Sequence, residues 1–371
     1  MKVRTSVFLA TLGGVALCTA LVYLIGYSDV FSMEYNVAQA GVQADTHASP
    51  PPTLDRAAYD RKLLAVANNP APKQIATTSV AVATSSSHVA STSLQAKKTL
   101  WPASAPYPKV GALLPFNRIV AYYGNFYSTK MGVLGEYLPD VVLAKLASTT
   151  AQWEAADPTT PVVPAIDYIA VTAQASAGRD GKYRLRMPDS EIQKALDLAA
   201  RVHGIVILEL QVGLSNVQTE VPLLSPYLKL PNVHLALDPE FAMHGGARPG
   251  TVIGSFDAAD INFAAHYLAA LVQGNNLPPK ILVVHRFTQP MVTNYKQITP
   301  LPEVQIVMDM DGWGPPAQKI GTYQAFIASA PVQFTGFKLF YKNDIRPPST
   351  RMLTPAEILK LTPQPSFIQY Q

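Results

Sequence analysis

The residues of this 371-residue chain best suited to chemistry are acids that alternate with apolar residues in strand-like segments. Along 233–241, Val233, Leu235, Leu237 and Phe241 form one apolar row, leaving His234, Ala236, Asp238 and Glu240 on the other face, because side chains alternate across a strand. Along 205–212 the apolar row is Val206, Leu208, Leu210 and Val212, so Glu209 and Gln211 share the opposite face. Along 304–312 it is Ile306, Met308 and Met310, which leaves Gln305, Asp309 and Asp311. Asp167 is the polar member of the row Val163, Ala165, Ile169. Carboxyl groups gathered in one space repel, so some should keep protons above their ordinary pKa unless cations intervene. Lys338 and either His285 or Arg286 are the candidate cations. A protonated carboxyl beside an ionised one can split a bond by general acid catalysis. Glu240 and Asp311, which run into Gly- and Pro-rich loops, are expected to be catalytic, with Asp238 beside them. Asp167, Glu209 and Lys338 fit either a substrate site or a buried ion-pair network. Gln211, His285, Asp309, Tyr122, Tyr123, Asn125, Trp313 and Tyr341 complete the candidate substrate contacts, the aromatic ones as platforms for flat apolar ligand faces.

These residues need strands whose ends converge. Strand-like runs occupy 118–124, 162–170, 205–212, 233–241, 280–288, 304–312 and 336–341, and 366–371 supplies an eighth. Helical spacing separates some of them, as in Ile192, Ala195, Leu196, Ala199 after Pro188, and Ile261, Ala264, Ala265, Leu268, Leu271 after Asp257. Strand–helix alternation over 111–371 predicts a parallel sheet, closed as a (β/α)8 TIM-type barrel or open and doubly wound. No Gly-x-Gly-x-x-Gly or phosphate-binding loop follows a strand, which disfavours the nucleotide-binding open sheet and implies no cofactor. The barrel is the expected fold.

Residues 1–27 read as a membrane anchor. Lys2 and Arg4 precede an uncharged run over 7–26, long enough at helical rise to cross about 30 Å of hydrocarbon. The basic flank places the N-terminus in the cytoplasm and the remainder outside it, although a cleaved leader or a lipid anchor at Cys18 are alternatives. Residues 28–110 are rich in Ala, Ser, Thr and Pro and are expected to form a disordered linker, with a short helix near 54–66. Cys18 is the single cysteine, so no internal disulfide is available and the barrel must be held by packing. With 29 basic against 25 acidic side chains and no basic stripe, nucleic acid is not an expected partner.

The segments Tyr122-Tyr123-Gly124-Asn125, Met131-Gly132-Val133-Leu134-Gly135-Glu136, Gly178-Arg179-Asp180-Gly181, Leu237-Asp238-Pro239-Glu240 and Met308-Asp309-Met310-Asp311-Gly312 resemble an uncharacterised family of secreted or lipid-anchored bacterial proteins. That resemblance implies a glycosidase-like barrel and an envelope location. A looser one is to the family 18, chitinase-like glycoside hydrolases. Asp238-Pro239-Glu240 matches the end of their Asp-x-x-Asp-x-Asp-x-Glu pattern, with Val233 and Ala236 in place of the earlier acids. Met308-Asp309-Met310-Asp311 matches their Met-x-Tyr-Asp with Met310 for Tyr. Three functions follow as expectations. The first is an extracytoplasmic glycoside hydrolase with Glu240 as acid and Asp311 or Asp238 stabilising charge or guiding water. The second is a carbohydrate-binding or scaffold protein on a degenerate barrel. The third is a metal-dependent hydrolase using Asp238, Glu240, Asp309 and His285.

Overall fold

The computed structural model describes residues 53–69 and 99–371. The expected membrane span and most of the expected linker lie outside those residues, and among the described residues no helix is long and apolar enough to cross a membrane.

Eight parallel strands close into a barrel. They are β1 Arg118–Gly124, β2 Val162–Ala173, β3 Ile205–Leu210, β4 Val233–Leu237, β5 Lys280–Arg286, β6 Val304–Met310, β7 Phe334–Leu339 and β8 Phe367–Tyr370. Each pairs with its successor, and β8 and β2 both pair with β1 to complete the ring. This is the TIM-type barrel that the alternation predicts. An antiparallel extension, Arg184–Arg186, adds to the end of β2, where the buried Glu220 carboxylate accepts from Arg184 Nε at 2.8 Å and from Arg186 Nε at 2.7 Å.

The apolar rows pack as their parity requires. Val206, Leu208, Leu210, Val233, Leu235, Leu237, Ile306, Met308 and Met310 face the helices in the outer core. Ala165, Ile207, Ala236, Val283 and Val307 fill the interior. The main outer helices are α2 Pro139–Ala156, α3 Asp189–Ala200, α4 Val217–Leu223, α5 Ala258–Gly274, α6 Pro316–Tyr323 and α7 Pro355–Ile358. α5 starts at Asp257, whose side chain closes a capping box with Asp260. The connection from β5 to β6 departs from the strand–helix pattern. It has two 3-10 turns, Gln289–Met291 and Tyr295–Gln297, and no α-helix. Pro290, Pro300 and Pro302, together with the left-handed Asn294 at φ 54°, interrupt helical propagation there.

The expected linker needs correction at its described parts. Residues 56–67 form a helix, α1 Arg56–Ala67, with Asp55 as N-cap. Tyr59 and Ala67 are buried, and Leu63 packs against the interior cluster, to which Ile119, Ile205, Phe334 and Phe367 contribute from the start of their strands. The chain around it is tied down as well. Gln364 N–H donates to Val66 O at 2.8 Å, Asn68 Nδ2 to Leu361 O at 2.8 Å, and Trp101 Nε1 to Ala328 O at 2.8 Å. α1 therefore closes the N-terminal end of the barrel, opposite the acids.

Candidate active site

The acids meet at the C-terminal mouth. β4 stops at Leu237 because Pro239 has no N–H to continue the ladder. Asp238 then caps a 3-10 turn, Pro239–Phe241, its Oδ1 accepting from the Glu240 N–H at 3.0 Å. This turn, rather than strand parity, aims Glu240 at the mouth. It also swings Phe241, expected on the outward row, into the cavity lining. The returning loop presses on the turn: Gly254 N–H donates to Glu240 O at 2.7 Å. A Cβ at Gly254 would lie only 2.5 Å from Ala242 O and 2.6 Å from Pro239 O.

Glu240 and Asp311 open into one cavity of about 490 Å³, which Tyr123, Gln211, Asp238 and Lys338 also line. The Lys338 ammonium pairs with Asp311 Oδ1 at 3.1 Å and stands 3.9 Å from the Tyr123 ring centroid. Behind this surface lies a wholly enclosed layer. His285 bridges Glu209 Oε2 at 2.9 Å and Asp309 Oδ2 at 3.1 Å, with Asp311 Oδ2 at 3.5 Å. Tyr123 OH donates to Glu209 Oε1 at 2.8 Å, and Gln211 Nε2 reaches Glu209 Oε1 at 3.0 Å and Asp238 Oδ2 at 3.3 Å. Gln369 Nε2 donates to Asp167 Oδ2 at 2.6 Å. Asp309 Oδ1 and Asp167 Oδ1 have no hydrogen-bond partner among the described residues. Gly336 makes room for the former, since a Cβ there would sit 2.4 Å from Asp309 Oδ1.

Charge balance follows from burial. Asp167, Glu209, Asp238, Glu240, Asp309 and Asp311 face two cations, Lys338 and His285. Burial raises the pKa of Asp309, and burial followed by the Glu209 charge pushes Asp167 and Asp238 well above the carboxylate range. Burial, then repulsion from Asp311, lifts Glu240 to about 7. Burial also opposes ionisation of Glu209, but His285, Lys338 and the Tyr123 hydroxyl outweigh it and hold the group below its ordinary value. His285 shows the converse, its burial overcome by Glu209 and Asp309 so that its pKa rises well above the usual range. Burial thus favours the protonated form of Asp167, Asp238 and Asp309, while Glu209 is held in its ionised form against His285.

No family model matches the chain, and no curated protein matches it. Among solved structures, it is similar to Plasmodium falciparum HPPK-DHPS with pteroate at 10% identity and TM-score 0.32, covering 68% of this chain and 44% of that one. It is similar to the Bacillus subtilis mannanase BCman at 12% identity and TM-score 0.33, covering 70% of this chain and 81% of that one. This chain therefore spans less than half the length of the first. Likenesses so loose bear on neither fold nor chemistry, which rest on the topology and the site itself.

The site corrects several expected contacts. Asp167, Glu209, His285 and Asp309 are fully enclosed and act on the lining instead of touching a ligand. Asp238 is nearly buried, and its two oxygens orient the Glu240 turn and Gln211, which makes it a positioning group. Tyr122 faces the helices, its OH bonded to Thr149 Oγ1 at 2.8 Å and Tyr341 OH at 2.9 Å, and neither tyrosine lines the cavity. Asn125 is buried and ties its loop to Ile169 O at 3.0 Å. Arg286 points out to the Gln289 carbonyl at 3.0 Å, so His285 is the inward cation. The metal reading also fails on geometry. Among the described residues no group of three His, Cys, Asp or Glu side chains is arranged to hold an ion, and His285 and Asp309 are bonded to each other.

Phe287, Phe340, Lys130 and Gln371 line the cavity without having been singled out in the sequence, and Trp313 stands half-exposed at its edge. Lys319 was also missed. Its buried ammonium donates to Gly312 O at 2.8 Å and Lys338 O at 2.7 Å and pairs with Asp344 at 3.0 Å, fixing the loop that bears Asp311 and Trp313. Its spacing from Asp344 has no period, and only the loop path brings the two together.

Proposed function

We propose that this protein is a glycoside hydrolase acting on a cell-envelope or extracellular polysaccharide, held at a membrane by residues 7–26 with its barrel outside the cytoplasm. The observation that carries the chemistry is Glu240. Its carboxyl is partly buried, accepts no hydrogen bond from the described residues, and titrates at about 7 beside an ion-paired Asp311 in an open cavity. Two carboxyl groups so differentiated divide the labour of glycoside cleavage. Glu240 gives its proton to the departing glycosidic oxygen, which leaves with the electron pair of the broken carbon–oxygen bond. Asp311, fixed by Lys338 and His285, faces the positive charge that develops at the anomeric carbon, and water supplies the new oxygen there. Phe241, Phe287 and Trp313 offer apolar faces on which sugar rings stack.

A carbohydrate-binding protein without turnover is the second reading, favoured by the enclosure of Asp167, Glu209 and Asp309, which leaves few acids in reach of a ligand. An activity screen of the full-length protein on envelope polysaccharides and peptidoglycan separates the two. Hydrolysis that Glu240→Gln abolishes while binding survives supports the enzyme. Binding without hydrolysis by the wild type supports the second reading.

A further inference from the structure

A second cleft, of about 430 Å³, opens on the outer side of β1 and β8 against helix α2 and the segment after β7. Shared walls join it to the catalytic cavity. Lys130, Phe340 and Gln371 line both that cavity and a small space of about 70 Å³, and Tyr341 lines both the small space and the second cleft. The three spaces are therefore neighbours, divided only by these side chains.

The cleft has aromatic and hydroxyl groups together. The half-buried Tyr341 ring stacks on Tyr370 with centroids 5.3 Å apart, and its OH is anchored by Tyr122 at 2.9 Å. Ser148, Gln152 and Thr354 are exposed around it. Its charge is of one sign. Lys145 Nζ is held 4.9 Å from the Tyr137 ring centroid and 5.6 Å from that of Tyr341, and no acid lines the cleft. In the small space, the one lining acid, Glu136, is already paired with Lys342 at 2.8 Å, while Lys130 has no carboxylate partner among the described residues. Cations without counter-charge, set along aromatic and hydroxyl groups, select an anionic sugar chain.

We propose that this cleft is a distal subsite for an anionic stretch of the polysaccharide cut beside Glu240, the anion being a sugar carboxylate or a phosphodiester. The proposal rests on the glycan-hydrolase reading and names its substrate class. Lys145 contacts the anion, Tyr341 carries a ring, and the partly exposed Glu136–Lys342 pair lines the small space between, an ion pair weak enough to part for a chain.

Affinity electrophoresis of the full-length protein in gels containing polygalacturonate, polyribosylribitol phosphate or a neutral glucan tests it. Retardation is expected in one or both anionic gels and should weaken with salt. Whichever polymer retards the protein identifies carboxylate or phosphodiester. Lys145→Gln should lower that affinity about five- to tenfold, and Lys145→Arg should restore it. Equal retardation in the neutral gel, no retardation in either anionic gel, or an unchanged Lys145→Gln variant overturns the subsite. The two readings fail separately. Retardation that depends on Lys145, with no glycan hydrolysed, leaves the subsite and removes the hydrolase. Hydrolysis that depends on Glu240, with an unchanged KM for polymer in Lys145→Gln, does the reverse.

Discussion

Because burial and Asp311 hold the Glu240 pKa at about 7, its proton should be visible in both rate and stability. As the acid, Glu240 must be protonated, so kcat/KM should fall as pH rises through about 7, and Glu240→Gln should lower turnover by roughly 10²- to 10⁴-fold. Between its unfolded value near 4.3 and about 7 the native state binds a proton that the unfolded chain has released. Stability therefore declines with rising pH across that window, and the deficit is complete above it. At pH 8, Glu240→Gln should equal or exceed wild type by up to roughly 1–3 kcal/mol in thermal unfolding, the difference shrinking as pH falls and vanishing below about pH 4. A variant less stable than wild type at pH 8 would assign Glu240 to structure. A second expectation concerns Gly336. Its Cβ would displace Asp309 and with it His285, so Gly336→Ala should cost about 1–3 kcal/mol by denaturant titration. Alternation along the strands located the inward acids from sequence, because a row of large apolar residues admits only one outward face. It gave no depth, so the enclosed Asp167 and Asp309 resembled the accessible Asp311. Tyr122 and Tyr123 are neighbours on one strand and point to opposite faces, so only one of them could reach the mouth.

At the scale of elements, the eight strands were legible from apolar runs of the right length, while their ends were not. Pro239 shortens β4 and replaces parity with a 3-10 turn, which is why Phe241 appeared on the wrong face. α1 was suspected as a short helix, yet its packing was hidden. Its residues sit within a long stretch of Ala, Ser, Thr and Pro, and Leu63 finds its apolar partners only on the barrel. With Tyr59 buried and Leu63 partly so, a chain that starts near Gly111 should be less stable than one that starts near Thr53 by about 2–4 kcal/mol. Chemical denaturation of the two forms measures this directly. Equal midpoints would show that α1 contributes nothing to the barrel.

For the whole molecule, the anchor is the expectation with the plainest test. Protease added to intact cells should remove the barrel and leave a small membrane-held fragment, whereas a chain protected until lysis would overturn the topology. The sequence supports that expectation through the basic flank and uncharged run, features that depend on composition alone.

The seat of α1 at the closed end of the barrel gives the domain a direction. A chain arriving at Thr53 reaches the face away from the cavity, whereas Gln371, pinned by Tyr341 N–H at 2.8 Å, forms part of the cavity wall. The two positions are therefore unequal as handles. A fluorescent protein or affinity tag fused after Gln371 sits in the doorway that a polymer must use, while one placed upstream of Thr53 leaves it clear. Immobilised by its upstream end on a bead, the domain should still capture long glycans, and immobilised through Gln371 it should accept only short ones.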